Sequence, residues 1–198
     1  MIVMGDPKFA RKKYETPSHP WDKDRIEAEN VLIKKYGLKN KREIWRAQTM
    51  LRKFRAQARS LLGKVTSSDP QVKRETEQLL GRLHRLGILP ENATLDDVLA
   101  LDVESILKRR LQTVVYLKGL ASTPFQARQF IVHGHICIDK RRVTAPGYMV
   151  PKEEENMIEY HPSSPLTDST HPARPSIEFV VRKEADTVEN KANEVKEV

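Results

Sequence analysis

The sequence contains one cysteine, Cys137, among its 198 residues. A single thiol excludes a disulfide bond within the chain and a zinc site made of several cysteines. The flanking Ile136 and Ile138 indicate a strand, where an isolated cysteine usually packs as a small apolar side chain. We therefore predict neither a redox pair nor a structural zinc cluster.

Long apolar runs are also absent from the sequence. No stretch reaches the roughly 18 apolar residues of a membrane-spanning helix, and the N-terminus has no apolar segment of the signal-peptide kind. Apolar residues make up 38% of the chain, which is low for one compact globule. We expect small domains with long charged faces, in a soluble cytoplasmic protein without a membrane partner.

The sequence also lacks recognisable catalytic motifs. The sequence has no G-x-x-x-x-G-K phosphate loop and no G-x-S-x-G turn, and neither Ser122 nor Cys137 has a sequence cue for a paired base. His133 and His135 could present two imidazoles on one strand face, but a metal site needs a third ligand, for which Asp139 is the nearest candidate. We predict no catalytic residue, no metal site and no cofactor.

Positive charge is abundant and unevenly placed. The chain has 35 Lys and Arg against 27 Asp and Glu, and residues 1–64 hold 17 of the basic and 7 of the acidic side chains. Such segregation is expected when one face must meet phosphate groups. The competing interpretation is a solvated basic face that binds nothing.

The N-terminal half predicts an arm followed by three helices. Residues 1–21 combine prolines with basic residues, which indicates an extended, mobile basic arm. Residues 22–37 predict a short helix that ends at a glycine. Residues 41–63 carry apolar side chains every three or four positions, and residues 69–87 begin with a capping Asp-Pro pair. The apolar stripe of the second helix comprises Ile44, Ala47, Leu51, Phe54, Ala58 and Leu61.

The C-terminal half predicts a small mixed module. Capping signals indicate a brief helical turn and then one longer helix over residues 103–118. Pro124 starts another helix that Gly134 ends, and the period then changes to two, with partner strands near Val143 and residues 157–160. The predicted fold class is α+β, mostly α: a basic N-terminal arm, a helical domain, and a module of two helices with a small antiparallel sheet.

The segment STPFQARQFIVHGHICIDKRRV, residues 122–143, concentrates side chains that bind polyanions. Arginine donates paired hydrogen bonds to phosphate oxygens, and histidine can stack on an unpaired base. We predict that Phe125, Phe130 and Ile131 form the core beneath this surface. The predicted polyanion-binding cluster comprises the cations Arg109, Arg110, Arg128, Lys140, Arg141 and Arg142 together with the neutral Gln129.

Two stretches of the chain resemble a known family. RRLQTVVYLKGLASTPFQARQFIVHGHICIDKRRVTAPGYMV, residues 109–150, closely resembles the RNA-binding module first described in ribosomal small-subunit protein four. The arm GDPKFARKKYETPSHPWDKDRI and the helix KNKREIWRAQTMLRKFRAQARSLL resemble the archaeal and eukaryotic form of that family. The resemblance covers residues 4 to about 160 and is highly specific.

The resemblance implies a structural constituent of the small ribosomal subunit. Members of the family are primary binders of small-subunit (16S-type) ribosomal RNA (rRNA) and nucleate assembly of its 5′ domain. They lie near the channel where messenger RNA (mRNA) enters, beside small-subunit protein five, and contribute to translational accuracy. The implied partners are therefore this rRNA, neighbouring ribosomal proteins, above all protein five, and mRNA, and the implied location is the cytoplasmic ribosome.

Four parts of the chain follow from pattern and resemblance together. They are the arm at residues 1–21, the helical domain at 22–102, the RNA-binding module at 103–160, and a Pro-rich loop with a charged, mobile tail at 161–198.

The predicted RNA-binding residues lie on the arm, the second helix and the module. Two positions depart from the family pattern: Gln112 stands where many relatives have Asp, and the pair Asp139-Lys140 replaces an Asn-Gly hairpin turn. The predicted set is Lys8, Arg11, Lys12, Lys13, Trp21, Arg42, Arg46, Arg52, Lys53, Arg55, Arg59, Arg109, Arg110, Arg128, Gln129, His133, His135, Lys140, Arg141 and Arg142.

Two other functions use the same module. Pseudouridine synthases and tyrosyl-tRNA synthetases carry it, but the catalytic Gly-Arg-Leu-Asp of the former reads GRLH here at residues 81–84, and residues 1–100 lack the strand pattern of a synthetase. A stand-alone ribosome recycling or stress factor would bind RNA through the module but leaves the basic helical domain unexplained. A ribosomal protein that is not an enzyme is the preferred interpretation.

Overall fold

The computed structural model describes residues 12–64, 69–168 and 171–175. Within these ranges the chain is mostly helical and has a three-stranded antiparallel sheet, so the predicted α+β fold class is confirmed. The helices are α1 Lys23–Tyr36, α2 Lys41–Leu62, α3 Pro70–Arg85, α4 Leu95–Ala100, α5 Val103–Lys108, α6 Leu111–Leu117 and α7 Pro124–Val132. The strands are β1 Ile136–Ile138, β2 Arg141–Arg142 and β3 Ile158–Tyr160, and short 3₁₀ helices occupy Glu155–Met157 and Pro165–Thr167.

Local sequence explains where the first helices begin and end. Pro70 occupies the first turn of α3, and the Asp69 carboxylate accepts a hydrogen bond from the Gln71 N–H at 3.0 Å. Gly37 ends α1 with φ of +61°. A Cβ atom there would lie 2.7 Å from the Cβ of Pro124. Glycine is therefore needed at this position both for its backbone conformation and for the close approach of α7.

The helical domain is built around α2. Every residue of the predicted apolar stripe on this helix is buried. Helices α1, α3, α4 and α5 all pack against α2. Because the stripe occupies one face of the helix, the opposite face is left in water. The resulting core includes residues from Tyr36 to Leu107.

The prediction of one helix over residues 103–118 is wrong. The structure has two helices, α5 and α6, separated at Arg109 and Arg110. Arg110 is extended, with φ −74° and ψ 142°, and forms an isolated antiparallel bridge with Met149. The Val150 N–H donates to the Arg109 carbonyl oxygen at 3.0 Å. Backbone pairing with a distant loop has overridden the local helix propensity.

A second core lies in the module and includes residues from Leu111 to Leu166. It brings together α6, α7 and the inner face of the sheet, to which β1 contributes Ile136 and Ile138. The two cores divide between Leu107 and Leu111. We propose that the boundary between the helical domain and the module lies at this break, later in the chain than residue 102.

The sheet has the strand order β2-β1-β3, with Cys137 opposite Arg142 on one side and Glu159 on the other. The turn between β1 and β2 consists of Asp139 and Lys140, whose φ angles are +46° and +63°. A two-residue type I′ hairpin turn requires positive φ at both positions. Asp139 and Lys140 therefore both have the positive φ angles that Asn-Gly usually adopts in such a turn.

The predicted core of the module needs one correction. Phe130 and Ile131 are buried as predicted, but Phe125 is 55% exposed. Phe125 lies in the first turn of α7, where its side chain falls on the solvent face of a helix whose opposite face carries Ala127 and Ile131. Periodicity over nine residues is too short to assign each apolar side chain to one face.

The described part of the Pro-rich segment packs on the module. Leu166 is buried in the second core, and the Gln126 side chain of α7 donates to the Ala173 carbonyl oxygen at 2.8 Å. The arm and the tail were predicted to be mobile. Most of the residues concerned, 1–11 and 176–198, lie outside the described residues.

None of the helices in residues 12–64, 69–168 and 171–175 has the length and apolar content needed to cross a membrane. In the same ranges, no group of three or more His, Cys, Asp and Glu side chains is arranged to hold a metal ion.

Candidate nucleic-acid interface

The outer face of α2 carries a row of exposed cations. Its positions fall opposite or beside the buried apolar stripe, so the side chains extend into solvent. Among the residues that the structure describes, Arg52 is the single member of this row with a carboxylate partner, Glu15 of the arm. The row comprises Arg42, Arg46, Arg52, Lys53 and Arg59.

The last residues of the arm lie along the same helix. The Tyr14 ring packs 6.0 Å from the Trp45 ring, and the Glu15 N–H donates to the Thr49 hydroxyl at 3.1 Å. Lys12 lies over the Tyr14 ring at 5.0 Å. The arm therefore adds its charge to the α2 face. Lys12, Lys13 and the 91% exposed Trp21 are accessible, whereas Lys8 and Arg11 lie outside the described residues.

Two predicted RNA-binding arginines are engaged within the protein. Arg55 of α2 is half-buried and donates to the Leu101 carbonyl oxygen. Arg109 donates to Glu155 at 2.7 Å and to the Val150 carbonyl oxygen at 2.9 Å. Both side chains join segments that are distant in sequence, so they stabilise the fold through these internal hydrogen bonds.

A two-arginine cluster around Glu43 joins the helical domain to the module. Arg128 of α7 donates to Glu43 Oε1 at 2.8 Å, and Arg110 binds the other carboxylate oxygen. Gln112 accepts from Arg128 at 3.3 Å and donates to the Gly37 carbonyl oxygen at 2.7 Å. The structure places Arg110, which the sequence predicted to face RNA, in a buried position where its side chain is paired with Glu43.

The electrostatics of Glu43 follow from these contacts. Burial alone would raise the pKa of its carboxyl group, but hydrogen bonds from Arg128 and then Arg110 outweigh burial, and the pKa lies below its ordinary value. Glu43 is therefore ionised at neutral pH. Its charge holds two guanidinium groups at the junction of α2, α6 and α7.

Glu43→Gln is expected to lower the free energy of unfolding by about 2 to 3 kcal/mol at pH 7, because two partly buried arginines lose their counter-ion. The pKa of Glu43 is lower in the folded chain, so its stabilisation is present above the ordinary value of 4.5 and is lost as pH falls through the folded value. Urea unfolding of both proteins between pH 3 and pH 7 measures the difference. Asp96→Asn, at an exposed residue of α4, is the control. A difference that is constant over this range would contradict the pairing.

The sheet end of the module carries a separate group of polar side chains. The rings of His133 and His135 lie 6.2 Å apart and nearly parallel, at 20°. His135 Nδ1 lies 2.8 Å from the Ser164 hydroxyl, and Arg142 donates to the Ser163 hydroxyl at 3.4 Å. Burial, followed by the charges of His133, Arg142 and a neighbouring histidine, lowers the pKa of His135. A neutral imidazole there can offer a ring face or a hydrogen bond to an RNA base.

The structure divides into two parts the polyanion-binding cluster that the sequence predicted as one. Arg128 and Arg110 contact Glu43, whereas Arg142 lies beside the histidine pair. Gln129, His133, Lys140, Arg141 and Arg142 are all exposed. The accessible module residues therefore form a rim at the hairpin and the end of α7.

A second basic row on α3 was missed from the sequence. Arg74, Arg82 and Arg85 are exposed on this helix. Together with Gln78 they recur at intervals of four, four and three residues, which places them along one helical face. That spacing could have identified the row before the structure was known.

The chemistry available at these surfaces is that of binding. Burial raises the pKa of the Cys137 thiol, and its Sγ lies 3.5 Å from the Glu159 carbonyl oxygen, so the thiol is protonated and packed at neutral pH. Exposed guanidinium and ammonium groups on α2, α3 and the hairpin can neutralise phosphates. Planar side chains between them can meet unpaired bases.

Comparisons with known proteins agree with this architecture. Residues 7–108 match the family model of the ribosomal protein S4/S9 N-terminal domain, and residues 109–156 match that of the S4 domain. The chain is similar to the small ribosomal subunit protein uS4 of Picrophilus torridus, with 59% identity over 171 residues that cover 86% of this chain and 93% of the relative. The proteins of the same name from Thermoplasma volcanium and Thermoplasma acidophilum are 53% and 49% identical, over 88% and 94% of this chain and 87% and 94% of theirs.

Proposed function

Because the chain belongs to the uS4 family of small ribosomal subunit proteins, we propose that it is a structural constituent of that subunit and binds 16S-type rRNA. The observation that carries the proposal is the pair of cationic surfaces, one on the arm and α2 and one on the module rim, on the two domains that the family models match. Neutralising phosphates requires accessible cations, and both surfaces provide them.

The two surfaces bind folded RNA as one unit. The Glu43 cluster and the hydrogen bonds of Gln112 hold the module against α1 and α2. Fixed spacing between two cationic surfaces allows the protein to select an RNA shape, since phosphate contacts themselves carry no sequence information. A junction of several RNA helices presents phosphates in such an arrangement.

The finer role rests on the family resemblance. The protein is a primary rRNA binder that nucleates assembly of the 5′ domain in the cytoplasm. In the assembled subunit it lies near the channel that mRNA enters, beside protein five, and contributes to translational accuracy. A rigid pair of RNA-binding surfaces supports the assembly role, because it can hold two parts of an RNA junction together before other proteins bind.

The residues proposed to contact RNA directly differ from those that position them. Arg55, Arg109 and Arg110 position the surfaces through their internal partners. Arg128 is ion-paired with Glu43, but its side chain is also partly exposed to solvent and can reach RNA. The proposed direct contacts are Lys8, Arg11, Lys12, Lys13, Trp21, Arg42, Arg46, Arg52, Lys53, Arg59, Arg128, Gln129, His133, His135, Lys140, Arg141 and Arg142.

Crosslinking in cells, followed by sequencing of the RNA bound to the intact chain, tests the proposal. The expected result is enrichment of small-subunit rRNA at sites that surround a helix junction. A chain with Arg46, Lys53 and Arg142 all changed to Glu is expected to lose this enrichment while keeping its circular dichroism spectrum.

Two other results would replace the proposal. Enrichment of tRNA would favour an RNA-modifying enzyme, and enrichment of separated large subunits would favour a recycling or stress factor. The names of the relatives, all small ribosomal subunit proteins, support neither alternative.

A further inference from the structure

A groove of about 930 Å³ lies between α2 and the loop at residues 145–149, where the helical domain meets the module. Its volume falls within the roughly 300–1,000 Å³ of sites that hold small molecules or single nucleotides. The side of α2 that lines it is adjacent to the exposed cationic row. The groove is therefore open to the same RNA that the proposed function places on α2.

The floor of the groove is apolar. Ala47, Met50 and Phe54 follow one another at intervals of three and four along α2, and Met149 completes the floor from the opposite loop. Met50 is 36% exposed, although it lies next to the buried core. Methionine side chains are flexible and polarisable, so they can fit closely against a flat ring.

The rim of the groove is strongly positive. Six cations and one carboxylate, Glu43, line it, and that carboxylate is bound by Arg110 and Arg128. Within the described ranges, Arg46 and Lys53 have no carboxylate partner. An occupant of the groove must therefore be anionic outside and apolar inside. The six cations are Lys13, Arg46, Lys53, Arg82, Arg110 and Arg128.

The groove also offers groups that recognise a nucleobase. The Arg82 guanidinium lies 5.7 Å from the centre of the Phe54 ring, which forms a layer of two planar groups at one wall. Planar guanidinium groups stack on bases. Gln57 lines the same groove and can exchange hydrogen bonds with the polar edge of a base.

We propose that this groove holds one unstacked nucleotide from a single-stranded segment of the bound rRNA. The base lies on Met50 and Met149, and the phosphates on either side meet Arg46 and Lys53. The proposal rests on the proposed function and adds a site to it. An acidic peptide would satisfy the rim but not the flat apolar floor, so a nucleotide matches the lining better.

Two charge-matched variants of the intact chain test the site against full-length small-subunit rRNA. Met50→Glu places a carboxylate on the floor, whereas Val31→Glu places one at a 64% exposed position of α1, away from both proposed RNA-binding surfaces. Loss of one stacked base corresponds to roughly a 5- to 150-fold change in affinity. We expect Met50→Glu to weaken binding about 10- to 100-fold and Val31→Glu less than about 2-fold, with unchanged melting temperatures for both.

A photoreactive residue provides the second readout. Benzoylphenylalanine at position 50 is expected to crosslink to one nucleotide in an unpaired rRNA segment, and at position 31 to give no crosslink at that nucleotide. A crosslink from position 50 to a protein alone, or equal affinities of the two Glu variants, would overturn the site. If wild-type chain binds rRNA tightly in that case, the proposed function stands; if it does not bind, the proposed function fails as well.

Discussion

Raising the salt concentration from about 50 to 200 mM is expected to weaken binding of the intact chain to small-subunit rRNA by about 10³- to 10⁵-fold. The two cationic surfaces provide enough accessible side chains for roughly six to ten phosphate contacts, and each contact releases a counter-ion from the RNA. The logarithm of the affinity should therefore fall with the logarithm of salt at a slope of about −5 to −8. Filter binding at four or more salt concentrations measures it.

Single substitutions locate the contacts that produce this slope. Arg46→Ala and Lys53→Ala should each reduce its magnitude by about one, because each removes one phosphate contact. Lys23→Ala is the matched control, since this exposed lysine of α1 is ion-paired with Glu27 at 3.8 Å and is not among the proposed contacts. A wild-type slope near zero would show that phosphate neutralisation does not dominate binding.

Phe130→Ala is expected to lower the free energy of unfolding by about 3 to 5 kcal/mol. Phe130 is 7% exposed in the second core, and its ring meets the His135 ring edge-on at 6.1 Å and 89°. Truncation removes buried apolar surface and leaves a cavity among side chains that cannot fully close it. Because His135 then loses its support, rRNA binding should fall as well.

Phe125→Ala provides the matched comparison, because it is the same substitution in the same helix at an exposed position. It should cost less than about 1 kcal/mol. Urea unfolding monitored by circular dichroism and by tryptophan fluorescence gives both values. Equal losses of stability from the two substitutions would contradict the division of α7 into a buried and an exposed face.

Much of the fold was predictable because its signals are local. The apolar stripe of α2, the Asp69-Pro70 start of α3 and the change of period after Gly134 each depend on residues within a few turns of one another. The family resemblance predicted from residues 109–150 and from the arm is confirmed by the two family models.

The errors share a different cause. The helix predicted over 103–118 breaks at Arg110 because the distant Met149 pairs with its backbone. Distant pairing also explains the turn at Asp139 and Lys140, where the sequence has no glycine: both residues keep positive φ because the two flanking strands are paired across it.

Sequence periodicity and charge identified most of the helices and the positive character of the N-terminal third, and the resemblance of residues 109–150 and of the arm identified the family. They could not separate the arginines that face solvent from those that hold the domains together. Arg110 and Arg128 carry the same charge as Arg46, yet they bind Glu43, which lies 67 and 85 residues away in the chain. Such pairing depends on how the helical domain packs against the module, and helical periodicity contains no information about contacts over that separation.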